Sequence, residues 1–216
     1  MKISRSALDA ILMFANDAKD TSTGMRAAMK HVRISDDGAD AVTADGSALA
    51  LASVTDAGDL AGKLLDAEAI RAFLKGVGTK YRDSQVIDFT LYADGTHVAA
   101  FCANFTAQIP LRDETFPSYG QIVANNPLVD SPTNSGAFAL SAAFLERIGK
   151  ALKPFGAPRI HPGRGKRDAV WVIAGPSPSV AGDNPDGAPD SYPIRLLVMP
   201  MSVAWPEAKP AVEAAA

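Results

Sequence analysis

Three times along the 216-residue chain, a helical apolar stripe is followed by short alternating segments, and this recurrence constrains the fold more than any other feature. Leu8, Ile11, Leu12 and Ala15 fall at i, i+3, i+4 and i+7, and Ile70, Phe73, Leu74 and Val77 repeat those offsets. Leu145, Ile148 and Leu152, with Phe144 beside them, mark a third stripe. Each is the spacing of one buried face of a surface helix. Ser4 or Ser6, Asp66 and Ser141 stand where a side-chain oxygen would cap the orphan amides of a first turn. Gly76 and Gly78 end the second stripe, and Pro154 with Gly156 ends the third.

Strands are expected after every helix. The first set is His31–Ser35, Ala39–Ala44 and Ala48–Val54, broken at Asp36-Asp37-Gly38 and Asp45-Gly46. The second is Gln85–Tyr92, Thr96–Ala103 and Phe105–Leu111, with Asp94-Gly95 at its first turn. Asp-Gly between alternating apolar segments predicts a hairpin, because glycine takes the positive φ of a tight turn. The third set, Arg159–His161, Ala169–Ala174 and Ile194–Met199, lacks Asp-Gly and has an expanded loop. The fold class is therefore α+β, a repeated helix-plus-antiparallel-strands unit with sheets packed on helices. Helix starts near 4, 66 and 141 give a period of roughly 60–75 residues, longer than common solenoid repeats. The domain reading is two half-units in 1–118, a linker at 119–135, a third half-unit or a shortened second domain in 136–203, and a disordered tail over 204–216. The linker reading rests on the Asn, Pro and Ser of 118–136.

No chemistry-bearing motif accompanies the repeat. The single cysteine, Cys102, sits in a strand-like run and excludes an internal disulfide. No Cys/His cluster with zinc spacing occurs, and His31, His97 and His161 are far apart. Gly163-Arg164-Gly165-Lys166 is not a phosphate loop, since Arg167 follows the lysine and Ile160 stands where the motif needs glycine. No Gly-x-Ser-x-Gly elbow exists. Asp36, Asp37, Asp45 and Asp94 are turn residues. The expectation is a chain that is not an enzyme and carries no cofactor. With no secretory signal or 18-residue apolar run, a cytoplasmic location is expected.

Three stretches resemble the bacterial DNA polymerase III beta subunit, the sliding clamp. They are MKISRSALDAILMFAN at the start, the middle run from GKLLDAEAIRAFLKGVG to the Phe-Pro step at Phe116-Pro117, and the closing PIRLLVMPM. The likeness covers most of 1–118 and about 136–203. The family's Leu-Pro segment after the first helix is missing, and Ser202 stands where a basic residue is usual. Three half-units are counted here against six in the family. A ring of twelve would then need four chains, unless the linker hides a degenerate unit or no ring closes.

The resemblance implies a processivity factor that holds double-stranded DNA without reading sequence and docks peptides from a DNA polymerase and a clamp loader. It also implies a homo-oligomer. Basic side chains on the helices would reach phosphates: Arg5 and Arg26 around the first, Arg71 and Lys75 on the second, Arg147, Lys150 and Lys153 on the third. The alternative for these residues is a solvated face with no ligand. Val198, Met199, Pro200 and Met201 would form one wall of a partner-peptide pocket, methionine adapting to varied partners, or else Val198 and Met199 fill the core. The opposite wall is not placed by the sequence. The other functional reading is a clamp-fold protein that closes no ring and regulates a polymerase or clamp.

Overall fold

The computed structural model describes residues 1–16, 25–78, 85–126, 140–161, 169–175 and 194–199. The three expected helices form where the caps predict. They are α1 (Arg5–Leu12), α3 (Ala67–Val77) and α5 (Ala142–Leu152). Ser4 Oγ accepts from the Ala7 amide at 3.1 Å, Asp66 Oδ1 from Ala69 at 2.8 Å, and Ser141 Oγ from Phe144 at 3.2 Å. Each satisfies a donor the first turn would otherwise leave orphaned.

Three strands follow each of these helices. After α1 come β2 (Val32–Ile34), β3 (Asp40–Ala44) and β4 (Ala48–Ser53). After α3 come β6 (Val86–Leu91), β7 (His97–Cys102) and β8 (Phe105–Arg112). After α5 come β9 (Arg159–His161), β10 (Val170–Ala174) and β11 (Ile194–Val198). The Asp-Gly turns form, with Gly38, Gly46 and Gly95 all at positive φ. Two short strands precede the first two helices: β1 (Lys2–Ser4) and β5 (Leu64–Leu65). A one-turn helix, α2 (Met25–Ala28), leads into β2.

All neighbouring strands are antiparallel, in the order β1-β6-β7-β8-β5-β2-β3-β4-β11-β10-β9. The small strands stitch units together: β1 pairs with β6, and β5 bridges β2 and β8. Unit one joins unit three directly through β4 and β11. The sheet thus runs unbroken between the two regions separated by residues 119–135.

Two apolar layers lie on opposite faces of the β3-β4-β11-β10 region, as the two-residue period of a strand requires. One face carries Ala41, Ala50, Ala52, Val172, Leu196 and Val198 and packs under the helices, with Leu8, Ile11, Ile70 and Leu152. α1 packs against both α3 and α5. Thr43 Oγ1, fully buried, donates to the Ile11 carbonyl at 2.6 Å and ties α1 to β3. The other face carries Val42, Leu49, Leu51, Trp171, Ile173 and Leu197.

The third apolar stripe is rotated from its expected position. Leu145 is 49% exposed, while Phe144, Ile148, Ala151 and Leu152 face the core. Part of the expected linker is ordered: Gly120–Asn125 form a helix, α4, on the second face of the sheet. Residues 127–139 and the tail over 204–216 lie outside the described residues, as does the basic turn 162–168.

Candidate functional site

The helix layer holds most of the candidate DNA-contacting residues, and many are already engaged. Arg5 is 3% exposed and donates to Leu74 O at 2.9 Å and Gln85 Oε1 at 2.7 Å. It is a packing residue between α1, α3 and the start of β6, and the expectation that it reaches a phosphate is corrected by that burial. Arg71 donates to Leu12 O at 2.9 Å, at the C-terminal end of α1, where free carbonyls favour a cation. Arg147 donates to Asp45 Oδ2 and stacks over Phe14 and Phe144, its guanidinium carbon 4.7 and 4.6 Å from the ring centroids. Lys150 pairs with Glu146 at 2.6 Å on the surface of α5. Arg26, Lys75 and Lys153 are exposed. The seven residues are thus of two kinds, and charge in the sequence does not separate them.

The second face of the sheet holds an apolar groove of about 460 Å³. Its floor is the β3–β4 hairpin, with Ala44, Ala48 and Leu49, and its near wall is Leu197 and Met199 at the end of β11. The Met199 amide donates to Ser47 O at 3.1 Å, which seats that residue against the hairpin turn. The Met199 side chain is 52% exposed. Strand alternation sends Val198 the other way. It is 1% exposed under the helices, so it belongs to the core and is no part of the groove. Pro200 and Met201 lie outside the described residues.

The far wall is the one the sequence left unplaced. It is the strap that follows β8: Phe116, Pro117, Tyr119, Ile122 and Asn125 on α4, and Asn126 just past its end. Phe116 and Tyr119 meet edge to face, centroids 6.1 Å apart. Asn126 clamps the strap to β10. Its carbonyl accepts from Trp171 Nε1 at 2.6 Å, its Oδ1 from the Ala169 amide at 3.2 Å, and its Nδ2 donates to Ile122 O at 2.8 Å. Ile122 stays 45% exposed over the groove. The signal was present in the sequence, since Tyr119, Ile122 and Val123 fall at i, i+3 and i+4.

A polar recess of about 510 Å³ lies against the same strap, lined by Phe116, Pro117 and Tyr119 together with Arg33, Asp36 and Asp37. Burial, then the negative charge of Asp40 and Asp36, pushes the Tyr119 hydroxyl up to about 12. The Ser35 hydroxyl and the Ala39 amide, both donating to Asp37, hold its carboxyl below the usual range.

Among the described residues no group of His, Cys, Asp and Glu is placed to hold a metal ion, and no helix is long and apolar enough to cross a membrane. Cys102 is buried in β7, and burial raises its thiol pKa.

This architecture, α+β with a continuous antiparallel sheet and a helix layer, is the fold of sliding-clamp domains. The chain is similar to the C. crescentus beta sliding clamp, with a TM-score of 0.60 at 12% identity over 94% of this chain and 65% of that one. It is also similar to the DNA polymerase sliding clamp of Pseudomonas aeruginosa (TM-score 0.58, 15% identity, 94% of this chain and 66% of that one). A third similar structure is the DNA polymerase III beta subunit of Thermotoga maritima (TM-score 0.55, 10% identity, 95% and 65%). The chain spans just under two thirds of the length of these structures. No family model matches it. No curated protein matches it in sequence.

Proposed function

We propose that the chain is a clamp-fold tethering protein of the DNA polymerase III beta subunit kind, which docks an extended peptide of a DNA polymerase or clamp loader and holds duplex DNA without reading its sequence. The observation that carries the reading is the apolar groove, where Met199 and Ile122 stay half-exposed on facing walls. A flexible thioether facing a β-hairpin floor suits varied apolar side chains. Such work is topological and electrostatic, with no bond made or broken, and on this reading it takes place in the cytoplasm. DNA would be held by Arg26, Lys75 and Lys153.

The test is binding of labelled polymerase-derived peptides by fluorescence polarisation. Met199→Ala is expected to weaken binding roughly tenfold, the effect of truncating a central apolar contact. Equal affinity for both proteins overturns the assignment of the groove.

A second reading is favoured by one observation. With Arg5 buried and Arg71 and Arg147 engaged, three of the seven candidate cations, all among the described residues, are taken up within the fold. The chain would then bind a polymerase or clamp as a regulator without closing a ring. Retention on duplex DNA at low salt, lost as salt rises, supports the first reading. Peptide binding with no DNA retention, and no oligomer by light scattering, supports the second.

A further inference from the structure

We infer that the segment docked in the groove carries a lysine or arginine next to its apolar anchors, and that Asp36 selects for it across the Phe116–Tyr119 strap. The inference rests on the peptide-docking reading and names the chemistry of the partner.

The apolar groove and the polar recess share Phe116, Pro117 and Tyr119 as a common ridge. The groove has room for a few apolar side chains only. An extended chain advances about 3.3 Å per residue, so a partner continuing over the ridge meets the recess within a few residues of its anchors. The recess is acidic in balance. Asp36, Asp37 and Asp40 face it or stand directly behind it, against Arg33 and Arg195. Two of these carboxylates have fixed duties: Asp40 pairs with Arg195 at 2.5 Å, and Asp37 caps the β2–β3 turn through Ser35 and Ala39. Asp36 differs. Its side chain is 87% exposed, and its one ion pair among the described residues, to Arg33 at 2.5 Å, is a surface contact through Oδ1. An arriving cation therefore meets an open carboxylate with little to displace. The half-buried Tyr119 on the ridge feels the same negative field at its hydroxyl. A glutamate or aspartate at that place would meet net repulsion, since among the described residues Arg33 is the one cation lining the recess and Asp36 already pairs with it.

The test uses three labelled peptides sharing a Leu-Leu pair and flanked on both sides by lysines, glutamates or serines. They are titrated into the full chain, the Asp36→Asn and Asp36→Lys variants, and Met199→Ala. The lysine-flanked peptide is expected to bind roughly tenfold tighter than the glutamate-flanked one at low salt, with the difference shrinking in 0.5 M salt. Asp36→Asn should abolish most of that preference, and Asp36→Lys should reverse it. Asp36 is so exposed that neither change threatens folding, and a thermal melt checks this. Equal binding of all three peptides, weakened throughout by Met199→Ala, overturns the selection by Asp36 and leaves the groove reading standing. No binding by any peptide overturns both.

Discussion

Arg147 on α5 and Asp45 at the β3–β4 turn are joined by a hydrogen-bonded ion pair that fastens the third unit to the first. The guanidinium lies over Phe14 and Phe144, and the Asp45 side chain is 11% exposed. The other oxygen of Asp45 accepts from the Ser47 and Ala48 amides at 2.8 Å each. One carboxylate thus closes the hairpin and anchors a helix.

Arg147→Met is expected to cost about 2 kcal/mol, because it leaves Asp45 unpaired and removes the cation from two aromatic faces. Asp45→Ala should cost about 3 kcal/mol, since the turn amides lose their acceptor as well. A double-mutant cycle read by urea denaturation should show coupling of about 1 kcal/mol. Additive losses would mean that the pair contributes nothing.

Arg5→Met should destabilise by about 2–4 kcal/mol, because it removes the buried bond to the Leu74 carbonyl and the half-buried one to Gln85. Lys75→Glu on the same helix layer should be close to neutral in a melt, yet it should weaken any retention on duplex DNA. The opposite pattern would return Arg5 to the list of DNA contacts.

These two residues show what the sequence could and could not convey. The three helices and all nine strands of the repeat were legible from local signals: caps at Ser4, Asp66 and Ser141, apolar spacing, and Asp-Gly turns. The fate of the basic residues was not legible, because their partners lie far along the chain, Leu74 for Arg5 and Asp45 for Arg147. Met199 was visible as one groove wall, but the opposing strap was hidden. Its Asn, Pro and Ser content resembles a linker, although Asn125 and Asn126 belong to the end of α4 and Asn126 works as its clamp. Val198 was misplaced by one residue, which in a strand means the opposite face.

Asn126→Ala should free the strap without unfolding the sheet. Two side-chain hydrogen bonds are lost and the backbone bond to Trp171 is loosened. Amide exchange in 120–126 should accelerate, with β10 and β11 unchanged. Peptide affinity should fall because the far wall is no longer preorganised. Unaltered exchange would show that Phe116, Tyr119 and Val123 hold the strap by packing alone.

Acid should act on the fold in two stages. His31 is mostly buried, with Asp66 and Glu114 carboxylate oxygens 3.9 Å from its two ring nitrogens. Burial lowers its pKa below 6.5 despite both carboxylates. The unfolded chain therefore takes up the proton first, and the contribution of neutral His31 is present above pH 6.5 and lost as pH falls below it. For Asp66, burial works upward but is outweighed by the Ala69 amide and Arg112, so its pKa lies below 3.8. Its contribution is present above pH 3.8 and lost further into acid. His31→Gln should flatten the first stage of a stability–pH profile and leave the second. A first stage that survives the substitution would assign it elsewhere.

Ala48 of β4 stands opposite Val198 of β11 in the antiparallel ladder, about 150 positions later. During synthesis the first unit therefore waits, with one ladder of amides and carbonyls uncovered, until β11 emerges from the ribosome. Closing so distant a pair is slow, and the waiting edge is the place where another nascent chain could add in its stead.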